Sequence, residues 1–325
     1  MTSGYLIKLH LNQLSKIANR FCFIYSVQLY SVLMNKKILL VGTVSNVSKT
    51  LEKELKIILK ALSIFESVRV YLVESDSTDE TVEVLEKIQL NYSNFNYVAL
   101  GTLKEKYPDR VDRIAYCRNN YVEYVSKIKK FYNFDYIAVA DLDGMNVRLK
   151  KNGIESCFNT DLYWDGIMAN QKFGYYDIYA LRAPGWVEED CFISMSRDKN
   201  LSNKPKIFRF SIINFLAHFI HFDKFRKKHI YKKMKIIKKR SEFLRVYSAF
   251  GGFAMYKPQV FQNSFYSTTN KSQSEHVNFH TTPDNSNRFF YINPQLINNW
   301  FNPYNINKIM FVRFIREFKK FFRCI

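Results

Sequence analysis

The chain has 325 residues, of which 47% are hydrophobic and 17% aromatic, a globular composition that excludes an intrinsically disordered protein. Its net charge of +20 predicts an anionic partner, such as an acidic membrane surface, a nucleic acid or a phosphorylated substrate. Five scattered cysteines without a Cys-x-x-Cys pair argue against a disulfide framework or a zinc knuckle and favour a reducing compartment.

Residues 1–34 form an N-terminal extension. Its apolar run, 21–34, is shorter than the roughly 20 apolar residues of a membrane-spanning helix, and it lacks the small-residue cleavage site of a signal peptide. A natural start at Met34 leads directly into an apolar stretch. We interpret the extension as either a mis-assigned start or a membrane-facing helix.

From Lys37 onward, strand and helix patterns alternate along the chain. Strands are predicted at 37–44, 68–73, 97–100 and 134–143, with helices between them. Ser77 and Glu80 have the spacing of a capping box, which predicts that the second helix begins there. This alternation is typical of an α/β fold, with an open, twisted and mostly parallel Rossmann-type sheet flanked by helices.

The pattern changes after residue 145, so we predict a nucleotide-binding half at 35–145 and an acceptor-binding half at 146–300. Further strands are predicted at 166–169, 176–181 and 246–256. Residues 204–245 contain fourteen Lys or Arg but only two acids, interleaved with apolar residues. This insertion is typical of a pair of basic amphipathic helices at an anionic bilayer, and the tail 301–325 repeats the pattern.

Two alternatives to a membrane surface were considered for the basic segments. A solvated charged face over an ordinary core helix has the same composition. Nucleic-acid binding requires a reading module in addition to charge, and the sequence has none, so no nucleic-acid partner is predicted.

The predicted strand 134–143 ends in Asp141-Leu142-Asp143-Gly144. Ligands of open α/β sheets bind at the carboxyl ends of the strands, and two carboxylates one residue apart can hold a hard cation and, through it, a diphosphate. The alternative is an acidic loop after a core strand. Glu74 and Asp76 follow the second predicted strand and exceed what helix capping needs, which favours a ligand role for them as well.

Five motifs together resemble those of GT-A fold glycosyltransferases. Residues 73–81 resemble their first nucleotide-binding loop, Arg118-Asn119 a helical Arg-Asn pair, and Asp141-Leu142-Asp143 their DxD motif. Residues 248–256 are similar to an acceptor-side Gly-Gly strand, and 275–280 to the catalytic acidic motif. The resemblance covers residues 37–283. It is to bacterial surface-polysaccharide transferases and, more distantly, to fungal capsule α-1,3-mannosyltransferases.

On the donor side, the resemblance implies that Glu74 and Asp76 contact the nucleoside, although many relatives have Gly at the position of Asp76. It implies that Arg118 approaches the diphosphate of a nucleotide-sugar donor. Asp141 and Asp143 would hold Mn²⁺ or Mg²⁺, which neutralises charge on the leaving diphosphate, so that Asp143 counts among the catalytic residues.

On the acceptor side, the resemblance implies that Glu275 orients or deprotonates the acceptor hydroxyl. His276 or His280 would complete the metal shell, and Gly251 and Gly252 would border the acceptor. Because the acidic pair of inverting relatives appears here as Glu-His, the stereochemistry is left open. The alternative for 275–280 is a surface turn before a proline.

Aromatic rings beside acids suit sugar binding. Two such stretches, Tyr163-Trp164-Asp165 and Tyr175-Tyr176-Asp177, are candidate acceptor walls, with Trp164 and Asp165 foremost. Glu189-Asp190 is a second possible acidic pair. The implied acceptor is a saccharide or lipid-linked saccharide in cell-surface glycan synthesis, which predicts a cytoplasmic protein bound peripherally at the inner membrane face.

Three other functions fit parts of the sequence. Asp141-Leu142-Asp143-Gly144-Met145 also resembles the DxDGT signature of haloacid-dehalogenase-type phosphatases, with Asp141 as nucleophile and Asp143 as acid/base. Against it, Met145 replaces the Thr and the motif follows a fourth strand. A nucleotidyltransferase would need a glycine-rich basic loop after the first strand. A non-catalytic membrane-surface scaffold is the non-enzymatic alternative.

Overall fold

The computed structural model describes residues 33–128, 132–198, 212–268, 273–300 and 314–315. The predictions for the N-terminal extension before residue 33, for 204–211 of the basic insertion and for nearly all of the tail therefore lie outside the described residues.

Eight strands form one sheet. They are β1 (Lys37–Val44), β2 (Ser67–Glu74), β3 (Phe95–Ala99), β4 (Tyr136–Asp141), β5 (Gly166–Gln171), β6 (Leu244–Val246), β7 (Phe253–Tyr256) and β8 (Phe290–Asn299). Their order is β3-β2-β1-β4-β7-β5-β8-β6, and only β6 and β7 run against the others. The predicted open, mostly parallel α/β sheet is confirmed. Strands from both predicted halves of the chain join in this sheet.

Seven α-helices accompany the sheet in the described residues. They are α1 (Leu51–Ala61), α2 (Thr81–Asn91), α3 (Arg110–Ile128), α4 (Lys151–Glu155), α5 (Cys191–Ser196), α6 (Ile212–His229) and α7 (Glu275–His280). The central strands are apolar on both faces because each face is covered. One core joins β1 and β4 to α1, and the other joins them to α3 and the aromatic residues of β7 and α7.

Several sequence predictions are wrong in detail. Residues 176–181 form turns and not a strand, and β7 begins only at Phe253, so Gly251 and Gly252 lie in the turn before it. Helix α2 begins at Thr81, because Asp79, and not Ser77, accepts the backbone N–H of Thr81. Strand β8 escapes prediction because Pro294 and three asparagines interrupt its apolar pattern.

The predicted pair of basic helices is one helix in the described residues. After α6 ends at His229, a single 3₁₀ turn at Tyr231–Lys233 leads into irregular chain. Basic residues crowd the last turn of α6, but apolar and polar side chains are only weakly segregated along it. Within the described ranges, no helix has the length and apolar character needed to cross a bilayer.

Candidate active site

The carboxyl ends of β1, β2 and β4 surround a cavity of about 240 Å³. Strand β1 lies between β2 and β4. The sheet grows from β1 through β2 to β3 on one side and continues with β4 on the other, so the strand order reverses at β1. Open α/β sheets bind ligands at such a switch point. The polar wall of this donor-side cavity contains Thr43, Ser45, Ser75, Asp76, Arg110, Arg113, Arg118, Asp141 and Asp143. Three arginines thus face three aspartates at one edge of the sheet.

Arg118 lies at the centre of a buried ionic cluster. Its Nη2 donates to Asp141 Oδ1 at 2.9 Å, its Nε to Glu275 Oε1 at 3.1 Å and its Nη1 to the Tyr121 hydroxyl at 3.3 Å. Only 4% of the side chain is exposed. All three nitrogens have protein partners, so Arg118 joins the two carboxylates; the structure does not present it as a free cation for the diphosphate.

Asp143 has the accessible surface of an exposed residue, yet it faces a concave wall from which protein atoms displace much of the water. This desolvation, together with the negative charges of Asp141 and Glu54, raises the pKa of Asp143 to about 7. The carboxylate of Asp143 can therefore be reached from solvent, and the negative charges around it exceed the positive ones. Both properties suit a cation ligand.

Glu54 of α1 fixes the turn that follows β4. Glu54 Oε2 accepts the N–H of Gly144 at 2.7 Å, and Oε1 accepts the N–H of Asn146 at 2.6 Å. Gly144 has φ +92°, a left-handed conformation that favours glycine. The two hydrogen bonds fix the backbone that carries Asp143.

A buried amide network supports the Gly251-Gly252 turn beside Asp141. The Asp141 N–H donates to Gly252 O at 3.0 Å, and Asn146 Nδ2 donates to the carbonyls of Asp141 and Gly252. Asn298 Nδ2 donates to Gly251 O at 2.8 Å. Both glycines have positive φ, 71° and 83°, so side chains would strain this turn.

A second cavity of about 580 Å³ adjoins the first, and Arg110, Ile114, Arg118, Asp141 and Asp143 line both. On its far side this acceptor-side cavity is walled by Tyr176, Asp177, Tyr179, Phe192, Ile230, Phe250, Glu275 and His276. The predicted acid Glu275 and the predicted metal pair are thus brought to one continuous space.

His276 is buried against Phe250, with ring centroids 4.0 Å apart, and neither ring nitrogen has a hydrogen-bond partner. Burial and the charge of Arg118 lower the pKa of His276 well below its usual value, so the imidazole is neutral. Its Nε2 lies 3.8 Å from Glu275 Oε1. His276 therefore neighbours the acid, but it does not form a metal shell with Asp141 and Asp143.

Glu74 and Asp76, the acids of the predicted nucleotide loop, accept hydrogen bonds from backbone N–H groups. Glu74 accepts the N–H of Ser77, and Asp76 Oδ1 accepts the N–H groups of Leu103 and Lys104. Glu74 is 2% exposed and is not part of the donor-side cavity wall, whereas Asp76 is. Of the two, only Asp76 is placed to meet a ligand.

The structure separates two predicted site residues, Trp164 and Asp165, from the rest. Trp164 and Asp165 precede β5, and Gly166 is level with Ile137 at the start of β4 through β7, so both lie at the amino-terminal edge. Trp164 packs in the core, and Asp165 accepts the N–H of Phe289. The prediction that they bind the acceptor is wrong, because the whole length of the sheet separates them from Asp141.

His280 was predicted as a metal ligand, and the structure contradicts this. It is 1% exposed, with Nδ1 hydrogen-bonded to the Ser248 hydroxyl at 3.0 Å and Nε2 to the Tyr256 hydroxyl at 2.9 Å. Both nitrogens are therefore engaged in the core.

Asp190 of the second acidic pair caps α5 and is paired with Arg182, so it too has a structural role.

Sequence reasoning missed Glu54, Arg110 and Asn146 as site residues, whereas Asp177 belongs to a predicted acceptor wall and lines the acceptor-side cavity. A signal existed for Glu54, because it lies on the same face of α1 as Leu51, Leu55 and Ile58, where an acid is out of place. Asp177 accepts the Gly251 N–H at 3.0 Å. Its burial, with the charges of Asp141 and Glu275, raises the pKa of Asp177 to about 6.

The donor set suits a hard divalent cation. Within the described ranges, no three His, Cys, Asp or Glu side chains come together closely enough to hold a metal. Asp141 and Asp143 would therefore share Mg²⁺ or Mn²⁺ with water and ligand phosphates, which is the usual mode for such ions. Desolvation and the negative charges of Asp141 and Glu54 raise the pKa of Asp143, and such a cation would relieve the repulsion between these charges.

The fold and the cavities together define an α/β protein with an acidic, arginine-flanked candidate site at the switch point of its sheet. No protein-family model and no curated protein sequence matches the chain. Comparisons with solved structures give similarity at low identity. S. aureus TarS 1-349 in complex with UDP-GlcNAc is 12% identical, with a TM-score of 0.44 over 84% of this chain and 61% of that chain.

Two further structures are similar at the same level. The mannosyltransferase PcManGT from Pyrobaculum calidifontis, in complex with GDP-Man and Mn²⁺, is 9% identical, with a TM-score of 0.37 over 79% of this chain and 56% of that chain. The 4-diphosphocytidyl-2C-methyl-D-erythritol synthase from Anaerococcus prevotii is 10% identical, with a TM-score of 0.38, over 87% and 99% of the two chains. This chain spans between 35% and 61% of the TarS chains it matches.

Proposed function

We propose that the protein is a metal-dependent glycosyltransferase that moves a sugar from a nucleotide-sugar donor to a saccharide or lipid-linked saccharide in cell-surface glycan synthesis. The observation that carries the proposal is the position of Asp141 and Asp143 in the walls of two connected cavities. A transferase needs this arrangement, because donor and acceptor must meet at one reacting centre while each is held separately.

The donor-side cavity suits a nucleoside diphosphate. Arg110 and Arg113 bring positive charge to its wall, and Asp76 and Ser75 offer hydrogen-bond acceptors at the end of β2. Arg113 is held in place because its Nη1 donates to the carbonyls of Tyr107 and Pro108 at 2.7 and 2.8 Å. Fixed arginines of this kind bind phosphate oxygens with geometric specificity.

Asp141 and Asp143 would hold the cation, which when bound supplies positive charge to the leaving diphosphate. Arg118 holds Asp141 through its Nη2 and Glu275 through its Nε, so one guanidinium fixes the positions of both carboxylates. Glu275 lies in the wall of the acceptor-side cavity, where its carboxylate can accept a proton from an acceptor hydroxyl. Tyr176 and Asp177 border the same space and can bind further hydroxyl groups.

The proposed location is the cytoplasm, at the inner face of the cell membrane. Support comes from the net charge and from the last turn of α6, where Arg226, Lys227 and Lys228 precede His229. We expect the protein to sediment with vesicles that contain phosphatidylglycerol and not with pure phosphatidylcholine vesicles. Release of the protein by high salt would identify the contact as electrostatic.

The phosphatase alternative is weaker on this geometry. Asp141, its nucleophile, is paired with Arg118, and no lysine contributes to the described lining of either cavity. A nucleophilic carboxylate of that mechanism has to be free to attack phosphorus. Hydrolysis of p-nitrophenyl phosphate that is abolished by Asp141→Asn would restore the phosphatase hypothesis.

The test of the proposed function is a panel of nucleotide sugars with Mn²⁺, read by thermal shift and by release of the nucleoside diphosphate. We expect at least one donor to raise the melting temperature in the presence of Mn²⁺, and Asp143→Asn to abolish the effect. Glu52→Gln, on the exposed face of α1, serves as the matched control. A panel without any stabilising donor, with folded protein, would contradict the proposal.

A further inference from the structure

The strongest unexplained feature outside the predicted motifs is the carboxylate of Glu54. It lies on the buried face of α1 beside Leu51 and Leu55, and only 1% of it is exposed. Burial raises the pKa of Glu54, and the nearby charge of Asp141 acts in the same direction. None of the described ion pairs involves it. A buried acid without a cation is costly, so packing does not account for Glu54.

The hydrogen bonds of Glu54 point to its role. Both oxygens accept backbone N–H groups of the turn that follows Asp143, at 2.7 Å from Gly144 and 2.6 Å from Asn146. Asn146 in turn donates to the carbonyl of Asp141 at 2.6 Å. Glu54 thus fixes the backbone that directly follows the acid pair, and the Asn146 side chain ties this turn to the Asp141 carbonyl.

We propose that Glu54 is a positioning residue that holds the Asp143 turn in the geometry required for a divalent cation. The inference rests on the proposed function, because it assigns the cation to Asp141 and Asp143. Glu54 is not itself a ligand, since its two oxygens are engaged by the backbone. It acts as the outer support that metal-binding carboxylates depend on, and loss of such support typically weakens metal binding 10- to 100-fold.

The charge of Glu54 contributes in the same direction. The two hydrogen bonds of Glu54 bring a third carboxylate to the turn that carries Asp143, and carboxylates held close together repel one another in an empty site. A divalent cation relieves this repulsion. A neutral hydrophobic residue at position 54 would pack with less cost but would leave the turn without its two acceptors.

The test compares Mn²⁺ binding to the full-length wild type, Glu54→Gln and Glu54→Ala, by electron paramagnetic resonance of free Mn²⁺, with UDP or GDP present. We expect Mn²⁺ affinity to fall about 10- to 100-fold in Glu54→Ala. Glu54→Gln keeps one acceptor oxygen and should lose less. Nucleotide binding without metal should be unchanged, because Glu54 does not line the donor-side cavity.

Leu55→Ala is the control for a merely structural effect, since Leu55 is a core residue of the same helix whose side chain cannot accept hydrogen bonds from the turn. It should lower the melting temperature while leaving Mn²⁺ affinity within about twofold of the wild type, far from the change expected for a lost outer support. Wild-type Mn²⁺ affinity in folded Glu54→Gln and Glu54→Ala would overturn the inference, as would an equal loss in Leu55→Ala. Failure of the wild type to bind Mn²⁺ with any nucleotide would instead count against the proposed function.

Discussion

Arg118→Met should destabilise the protein strongly, because it removes the cation from a buried ionic cluster. Arg118 is 4% exposed and Glu275 8%, so the carboxylate of Glu275 would be left buried without a cationic partner. Breaking a buried pair in this way costs about 3–5 kcal/mol. Asp141 is 27% exposed and can recover solvent, so it adds less to the cost. Methionine keeps most of the packing volume, which limits any cavity term.

A double-mutant cycle separates the ion pair from the packing. Glu275→Gln alone leaves Arg118 paired with Asp141, and the double variant Arg118→Met/Glu275→Gln no longer buries a lone charge. We therefore expect the double variant to be more stable than the sum of the single effects predicts, by about 1–3 kcal/mol.

The assay is equilibrium unfolding in urea at neutral pH, followed by circular dichroism. Arg197→Met is the matched control, because Arg197 forms an exposed pair with Glu189, whose side chains are 71% and 49% exposed. That change should cost less than about 1 kcal/mol. A loss below about 1 kcal/mol for Arg118→Met, or strictly additive effects in the cycle, would refute the reasoning.

Three further predictions concern the ligand sites and the histidine core. Arg110→Gln should weaken nucleoside diphosphate binding by about 1.5–3 kcal/mol in calorimetry with little change in stability, because an exposed charged donor is lost. Glu275→Gln should lower transfer to an acceptor while donor binding persists; equal losses of both would contradict its acceptor-side role. His280 has a pKa lowered to about 3 by burial, against about 6.5 unfolded, so stability should fall by about 1.4 kcal/mol per unit as pH drops below 6.5. His276 also has a lowered pKa, so His280→Gln should reduce the slope of the acid loss by about 1.4 kcal/mol per pH unit between about pH 6.5 and pH 4.5 and leave the contribution of His276; an unchanged slope would exclude His280 as a source.

The sheet could be predicted from the sequence because its central strands carry strong local signals. Strand β1 has the predicted bounds, and β2 and β4 differ by one or two residues, since apolar runs between turn residues leave few alternatives. The local sequence of β8, with Pro294 and three asparagines, argues against a strand. Strand β8 is held by its neighbours β5 and β6, so its existence depends on contacts that no window of the sequence contains.

The site was predictable where it follows the strand ends and unpredictable where it depends on side-chain pairing. Asp141 had to lie at the carboxyl edge once β4 was recognised. In contrast, Arg118 meets Glu275 across 157 residues, and Asn298 meets Asn146 across 152. Such pairs have no local pattern. Trp164 and His280 were predicted in the site from their residue types alone, because the sequence does not show which distant residues they contact.

An acidic motif does not by itself define a reaction, and the surroundings of Asp141-Leu142-Asp143 show why. Taken alone, Asp-Leu-Asp-Gly is compatible with a phosphatase nucleophile as well as with a cation-binding pair, although Met145 already departs from the phosphatase signature. The neighbours favour the cation-binding pair: Arg118 engages Asp141, Glu54 fixes the turn, and Asp143 remains reachable, with its pKa raised by desolvation and by the charges of Asp141 and Glu54. A nucleophile requires a free, oriented carboxylate, whereas a cation site requires paired acids on a rigid turn. The second description fits every one of these contacts, and for that reason the proposed function depends on the surroundings of the motif more than on the motif.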